Sequence, residues 1–326
     1  MRILTSVFRA ALCSAVALSA AAALAQDFPT RPVRLITPFP VGSGPDGVAR
    51  LLADKLSHTW GKPVVVENRP GGNGFVAIDA FKRGATDGHD LIQLDNVHLT
   101  AYPHLFKKLP YDPVKDFDPL LPLFKTYFLF TTAATSPYAN LGNLIADAKA
   151  RPGKLNYGSW SMGNPVHLGS ARFAAITGTD MVHVIYKETS QLYTSVASGE
   201  LSFALGSSGT TIPLYQAGKI KYLAVAAPKR LATLPDVPTV TEAGGPKNFE
   251  AGGWTTIAVP PGLPPAISAK IRRDIEVALA DPAVLTKYTS FGYEPFPISR
   301  EDFARYIQDE SKSMANIIQS TRSSID

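Results

Sequence analysis

Apolar residues in the first third of the chain follow a strand, loop and helix pattern that repeats. Residues 33–36 form a β-branched run, and a loop rich in proline and glycine follows at residues 38–47. A helix is then predicted by apolar residues at helical spacing: Val48, Leu51, Leu52, Leu56 and Trp60. Gly61, directly after this series, is a typical helix stop.

Two further strands continue the pattern. Residues 64–66 are valines, apolar on both faces as expected of a parallel strand in a covered sheet. Residues 91–94 form the third strand, and a short helix is predicted between the two at residues 77–81. This βαβαβ order predicts a parallel sheet with ligand-binding loops at the carboxyl ends of its strands.

The same pattern returns in the middle of the chain. The predicted elements are strands at residues 155–157, 181–186 and 201–205 and helices at residues 166–176 and 191–197. Near the C-terminus, Ser299 to Asp302 has the composition of a helix start before Phe303.

Two similar units predict an α/β fold with two lobes whose loops face each other. Each lobe would be a mixed, mostly parallel sheet flanked by helices. We place lobe 1 at residues 26–126 plus about 253–326 and lobe 2 at residues 127–252. The chain would cross between the lobes near residues 123–132 and 222–258.

The N-terminus has the composition of a secretory signal peptide. Arg2 and Arg9 precede an apolar run over residues 10–24, and Ala23-Leu24-Ala25 is a small-x-small cleavage site. We therefore expect residues 1–25 to be removed and the protein to be periplasmic. A retained membrane anchor is the alternative, but the run is shorter than the roughly 20 residues that span a bilayer.

Export also decides the cysteine chemistry and the charge. Cys13, the sole cysteine of the sequence, lies in the predicted signal peptide, so the mature chain has no disulfide and no thiol. Removing Arg2 and Arg9 lowers the formal charge from +5 to +3. The sequence contains no cluster of lysine and arginine residues, and this argues against a nucleic-acid partner.

The loop at residues 42–47 fits the dinucleotide fingerprint G-x-G-x-x-G, and Glu67 stands 20 residues beyond its last glycine. Three features oppose that interpretation. Pro38 and Pro40 separate the strand from the first glycine, Asp46 would repel a pyrophosphate, and the protein is exported. We therefore predict no cofactor.

Glycine-rich loops before helices are nonetheless suited to anions, because unpaired N–H groups and the positive end of the helix dipole meet there. Such loops lie at residues 40–47, 70–75, 159–164 and 206–209. Donors from two facing lobes would suit a small carboxylate. The alternative is that each loop is an ordinary connection between a strand and a helix.

Support for catalysis or for a metal site is thin. The sequence has no G-x-S-x-G motif, and its histidines show neither H-E-x-x-H nor H-x-H spacing. His98 and His167 follow loops of the predicted cleft, where each could bind a ligand or brace its own loop. An exported hydrolase acting on a small carboxylate ester stays open as an alternative, as does a module that binds a metal or a polyanion.

Several long motifs resemble one family in the same order. They are the segment from Asp27 to Arg50, VVVENRPGGN at residues 64–73, KLPYDPVKDF at 108–117, PGKLNYGS at 152–159 and LPDVPTVTEA at 234–243. They are similar to the Bug family of periplasmic solute-binding proteins, the receptor components of tripartite tricarboxylate transporters. The likeness covers nearly the whole mature chain.

The resemblance implies a Venus flytrap, the periplasmic-binding-protein fold, which closes on a carboxylate and is not an enzyme. It further implies a monomer that serves membrane permease subunits or a sensor. The ligand-binding residues that we carry over or infer beside them are Phe39, Val41, Gly42, Ser43, Gly44, Asp46, Gly72, Asn73, Asn96, His98, Ser159, Trp160, Ser161, Asn164, His167, Tyr186, Thr189, Gly206 and Ser207. Among them, we expect Asp46 to brace its loop instead of contacting a carboxylate.

Departures from the family pattern bear on the ligand. Leu205 and Gly206 stand where many relatives have a phenylalanine–aspartate pair, and loss of that aspartate argues against an amino-acid ligand. Trp160 follows Ser159 where a small residue is common, and Glu188 replaces a glycine. A tryptophan beside the cleft could stack on a ring. We therefore expect a di- or tricarboxylate or an aromatic carboxylate.

Overall fold

A computed structural model describes residues 28–186 and 188–320. The predicted signal peptide and Cys13 lie outside the described residues. Within these ranges, no helix combines the length and the apolar character needed to cross a membrane.

The described helices are mostly short. They are α1 (Gly44–Trp60), α2 (Phe75–Lys82), α3 (Asn96–Thr100), α4 (Tyr102–Leu105), α5 (Leu141–Ala150), α6 (Pro165–Thr177), α7 (Thr189–Ser198), α8 (Ser208–Gln216), α9 (Pro265–Leu279), α10 (Pro282–Phe291) and α11 (Arg300–Ser320). A single 3₁₀ turn, Gly72–Gly74, precedes α2.

The described strands form two sheets. They are β1 (Val33–Thr37), β2 (Val64–Asn68), β3 (Asp90–Asp95), β4 (Asp118–Tyr127), β5 (Leu129–Ala133), β6 (Asn156–Ser159), β7 (Val182–Ile185), β8 (Phe203–Gly206), β9 (Ile220–Val225), β10 (Gly252–Val259) and β11 (Tyr293–Glu294). Their order is β11-β4-β10-β3-β1-β2 in one sheet and β7-β6-β8-β5-β9 in the other.

The predicted βαβαβ unit is confirmed. Strand β1 pairs in parallel with β2 on one side and with β3 on the other. One detail of the prediction is wrong, because β2 lies at the edge of its sheet and Val65 is 54% exposed. Three successive valines do not distinguish an edge strand from a covered one.

The second sheet is mixed. Strand β6 pairs in parallel with β7 and β8, whereas β5 is antiparallel to β8 and β9. Neighbouring residues of β5 point to opposite faces, as the pleat requires. Leu129 packs with Leu192 and Val196 of α7, and Phe130 packs with Phe173 of α6 at a ring-centroid distance of 4.6 Å. Helices therefore cover both faces of this sheet.

The chain divides into two compact units. The first comprises the described residues up to Gln93, Val114–Leu121 and Ile257–Val284. The second comprises Leu94–Pro113, Pro122–Thr256 and the described residues from Leu285 onwards. The lobe limits given above stay a prediction.

The first unit is held together by the apolar face of α1. Val48, Leu52 and Leu56 are buried, and Trp60 at the end of the helix donates its indole N–H to Asp274 of α9 at 2.7 Å. Gly61 ends α1 in the left-handed conformation, with φ of 60°, which confirms the predicted stop.

In the second unit, the turn before β11 packs closely on the start of α8. A methyl group added to Gly292 would lie 1.4 Å from Ser208 Oγ and 2.8 Å from Ser208 Cβ, and Gly292 has a φ of 65°. A methyl group on Gly209 would lie 2.6 Å from the Phe291 carbonyl oxygen. Part of the glycine–serine loop at residues 206–209 is therefore used for packing.

We expect Gly292→Ala to lower the free energy of unfolding by roughly 2–4 kcal/mol, because it adds a left-handed alanine and a close contact with Ser208. Gly218→Ala is the matched control, since Gly218 has a φ of 64° and nothing within 4 Å of an added methyl group. The control should lose only about 1–2 kcal/mol. Equal losses in chemical denaturation would show that packing on Ser208 contributes nothing.

Candidate functional site

The loop between β1 and α1 is shaped by Ser43. This residue caps α1 with extended backbone, and its Oγ accepts a hydrogen bond from Asp46 N at 3.4 Å. The same hydroxyl donates to the Pro40 carbonyl oxygen at 2.8 Å. The loop therefore reaches the helix N-terminus in a defined turn.

Asp46 is the brace of this loop. It is 1% exposed and accepts hydrogen bonds from Gly42 N at 2.8 Å, Asn68 Nδ2 at 2.7 Å and Arg50 Nε at 3.0 Å. Burial acts to raise the pKa of Asp46, but the hydrogen bonds from Arg50, Asn68 and Gly42 outweigh it and lower the pKa. Asp46 is thus ionised and neutralised by Arg50, which confirms the bracing contacts expected of it.

The second loop, between β2 and α2, contains an unusual backbone run. Gly71, Gly72, Asn73 and Gly74 have φ values of 108°, 53°, 54° and 85°. Such a run is open to glycine and to asparagine but strained for most other residues. The run forms the 3₁₀ turn that leads directly into α2.

Asn68 joins the two loops of the first unit. Its Nδ2 donates to the Phe39 carbonyl oxygen at 2.9 Å as well as to Asp46. Its Oδ1 accepts from Arg50 Nη2 at 2.8 Å. The N–H groups of Gly44 and Gly72 make no hydrogen bond with any residue in the described part of the chain. Open donors therefore remain at both loops.

The loop between β6 and α6 in the second unit is internally bonded. Ser159 is fully buried, and its Oγ lies 2.9 Å from the Ser161 carbonyl oxygen and 2.7 Å from His183 Nε2. Asn164 caps α6, because its Oδ1 accepts from the N–H groups of Val166 at 2.8 Å and His167 at 3.0 Å. Its Nδ2 donates to the Ser161 carbonyl oxygen at 2.6 Å.

Both candidate histidines brace backbone. His167 Nδ1 accepts from Gly163 N at 3.1 Å, and His98 Nδ1 accepts from Asp95 N at the same distance. Burial, with the nearby His183, lowers the pKa of His167 to about 4, so the ring is neutral near pH 7. The loop-bracing interpretation of His98 and His167 is confirmed, while contact with a ligand stays a prediction.

The predicted site residues differ widely in exposure. Those with exposed surface are Val41, Gly42, Gly72, Trp160 and Thr189. Those partly exposed are Phe39, Ser43, Gly44, Asn73, Ser161 and Ser207. The buried ones are Asp46, Asn96, His98, Ser159, Asn164, His167, Tyr186 and Gly206. The buried group can position a ligand-binding loop, whereas the exposed group can meet a ligand.

The structure groups these residues by unit. The residues from Phe39 to Asn73 share the two braced loops of the first unit. In the second unit, a methyl group on Gly163 would lie 2.2 Å from Leu105 and 3.3 Å from Tyr102, and Tyr102 packs edge-on against His98. The α3–α4 segment that carries Asn96 and His98 therefore packs on the β6–α6 loop.

The surroundings of Ser159 also bear on whether the protein could act as a hydrolase. Sequence reasoning missed the pair formed by Ser159 and His183, which lie on neighbouring strands 24 residues apart. Because Ser159 has no exposed surface, a substrate could not reach its hydroxyl in this arrangement. Across the described residues, no group of three or more His, Cys, Asp or Glu side chains could hold a metal ion.

Comparison with known proteins identifies the family. The model of the tripartite tricarboxylate transporter family receptor, TctC, matches residues 48–322. The chain belongs to this family. The predicted resemblance is thereby confirmed. Members of the family are periplasmic solute-binding proteins.

Two curated relatives of this receptor come from Bordetella pertussis. A UPF0065 protein is 32% identical over 314 residues, covering 96% of this chain and 97% of the relative. Protein BugT is 29% identical over 303 residues, covering 93% of each chain.

Solved structures confirm the two-lobed α/β fold of periplasmic binding proteins. An R. palustris protein solved with adipate matches at a TM-score of 0.83 and 29% identity, covering 91% of this chain and 99% of that chain. MatC from Rhodopseudomonas palustris, with bound malate, matches at 0.79 and 29% identity, covering 89% of this chain and 100% of that chain.

Sequence reasoning also missed Glu310 of α11. This carboxylate accepts hydrogen bonds from Asn96 Nδ2 at 2.8 Å and from Trp254 Nε1 at 2.5 Å. The three residues line a cavity of about 280 Å³ in the second unit, together with Lys125 and Arg172. Asn96 is thus engaged with α11, at a separation of 214 residues that no local pattern reveals.

Two acidic groups in this region have raised pKa values. Burial raises the pKa of Glu310, against hydrogen bonds from Asn96 and Trp254 that lower it. Burial is also the largest cause for Asp95, the cap of α3, and with the charge of Glu310 it raises the pKa of Asp95 to about 7. A raised pKa means that the folded state holds the proton more tightly than the unfolded state does.

We expect Asp95→Asn to stabilise the receptor increasingly, relative to the wild type, as the pH rises from about 4 to about 7. Below the ordinary pKa of 3.8, Asp95 is protonated and its contribution to stability is fully present. That contribution is lost as the pH rises through the pKa of the folded state, about 7. Asparagine keeps the helix cap. The measurement is the free energy of unfolding of both proteins over this pH range.

The difference between the two proteins is the informative quantity, because His167 and His183 act in the opposite direction. Their pKa values are lowered to about 4, so the stability linked to them is lost as the pH falls below 6.5. Asp309→Asn, at a side chain that is 75% exposed, is the control and should show no such trend. A pH-independent difference for Asp95→Asn would contradict the prediction.

Proposed function

We propose that this chain is an extracytoplasmic receptor that captures a small organic carboxylate and delivers it to a transporter of the tripartite tricarboxylate type. The observation that carries the proposal is the pair of braced first-unit loops with open N–H groups at Gly44 and Gly72. Gly44 opens a helix of 17 residues, so the helix dipole adds to these donors.

Charge in these loops supports an anionic ligand. The carboxylate of Asp46 is buried and paired with Arg50, so it does not oppose a second carboxylate with an unpaired charge. Relatives of similar fold are known with adipate and with malate, both dicarboxylates. Ligand contacts from both lobes would stabilise a closed state, and this closure would signal occupancy to permease subunits or to a sensor.

An amino acid is the second candidate ligand, and Glu188 is the observation in its favour. This residue precedes α7 without a side-chain cap bond and is exposed. Its carboxylate could pair with an ammonium group. The absence of an aspartate at Gly206 argues in the other direction. We therefore propose a carboxylate without an amino group, and matched pairs such as 3-phenylpropionate and phenylalanine distinguish the two.

The first test is the melting temperature of residues 26–326 with aliphatic dicarboxylates, tricarboxylates, aromatic carboxylates and amino acids. A ligand at 100 times its Kd adds about 2.7 kcal/mol, which corresponds to several degrees. A shift confined to carboxylates supports the proposal. Hydrolysis of a carboxylate ester without such a shift would favour the exported hydrolase instead.

We expect Gly44→Pro to weaken carboxylate binding by roughly tenfold or more. Proline is tolerated at the first helical position but removes the open N–H, and a hydrogen bond to a charged group contributes about 1.5–3 kcal/mol. Gly44→Ala keeps the N–H and is the matched control. Titration calorimetry of both variants gives the comparison, and equal affinities would place the carboxylate elsewhere.

A further inference from the structure

Trp160 differs from the other two tryptophans of the chain. Trp60 and Trp254 are buried, and each donates its indole N–H to a carboxylate. Trp160 is 36% exposed. Within the described residues, its indole makes neither a hydrogen bond nor a ring contact. The exposed part of its side chain is therefore available to another molecule.

The polar side chains around Trp160 are already paired with other groups of the second unit. Ser159 is bonded to Ser161 and His183, and Asn164 uses both of its amide atoms within the loop and the first turn of α6. The N–H of Gly163 is bonded to His167. The β6–α6 loop therefore presents the exposed part of Trp160 beside the N–H groups of Ser161 and Met162, which make no hydrogen bond within the described residues.

The first unit also presents an apolar side chain in the loop that leads to Gly44. Val41, three residues before Gly44, is 71% exposed. Each unit therefore presents an exposed apolar side chain in a loop between a strand and a helix.

We propose that the ligand is a carboxylate with an aromatic body, and that Trp160 determines this specificity by packing against the ring. This inference rests on the proposed receptor function and names the class of its ligand. Aromatic rings favour offset-stacked or edge-to-face arrangements and gain attraction beyond the area that they bury. An extended aliphatic acid would gain less from Trp160.

Three dicarboxylates of similar reach test this directly: benzene-1,4-dicarboxylate, trans-cyclohexane-1,4-dicarboxylate and adipate. Benzoate and cyclohexanecarboxylate test the same contrast with one carboxylate. We expect the aromatic member of each pair to bind more tightly to the wild type. Its binding should change tryptophan fluorescence, and this change should be lost in Trp160→Ala.

Affinity in the variants separates stacking from a merely structural role. Trp160→Ala should weaken binding of the aromatic acid by roughly twofold to tenfold and leave adipate within about twofold, whereas Trp160→Phe should retain much of the affinity. Val182→Ala is the matched control, because Val182 is 49% exposed on β7 of the same unit. The melting temperature of each free variant checks that it is folded.

The outcomes distinguish the two proposals. Adipate binding with no aromatic preference, or an equal effect of Trp160→Ala on all acids, would overturn the inference and leave the receptor function in place. Failure of every carboxylate to bind would overturn the receptor function and the inference with it. Aromatic preference that is lost in Trp160→Ala but kept in Val182→Ala supports both.

Discussion

The buried carboxylate of Asp46 is the interaction on which the candidate site depends. It fixes the first loop through Gly42, the second loop through Asn68 and its own helix through Arg50. Removing these partners would leave a buried charge without compensation, a costly state. The loops are therefore held in one arrangement before any ligand arrives, and their remaining N–H groups need little reorganisation to receive a carboxylate.

The two units contribute different chemistry. The first presents open backbone donors at Gly44 and Gly72, whereas in the β6–α6 loop the side chains of Asn164 and His167 are bonded to the loop backbone. In the proposed receptor, the open donors of Gly44 and Gly72 would recognise charge. Side chains with exposed apolar surface would then discriminate between ligands of the same charge, because such contacts depend on the body of the ligand.

Local sequence patterns correctly predicted the features that depend on interactions between residues near one another in the chain. The stop at Gly61, the parallel pairing of β1 and the bracing role of Asp46 all follow from spacing, glycine and helix-end chemistry. The edge position of β2 did not follow, because three valines suit an edge or a centre equally. Glu310 was missed because its partners lie 214 and 56 residues away along the chain.

The contrast between local patterns and distant contacts also explains why the sequence predicts the fold better than it predicts the ligand. The fold repeats one strand–helix unit, so many residues carry the same information. The ligand depends on a few side chains, and Trp160 differs from an ordinary loop residue only through what surrounds it. A tryptophan whose neighbouring polar side chains are paired with other groups of the same unit is free to serve recognition, and that property is visible only once the contacts of Ser159 and Asn164 are known.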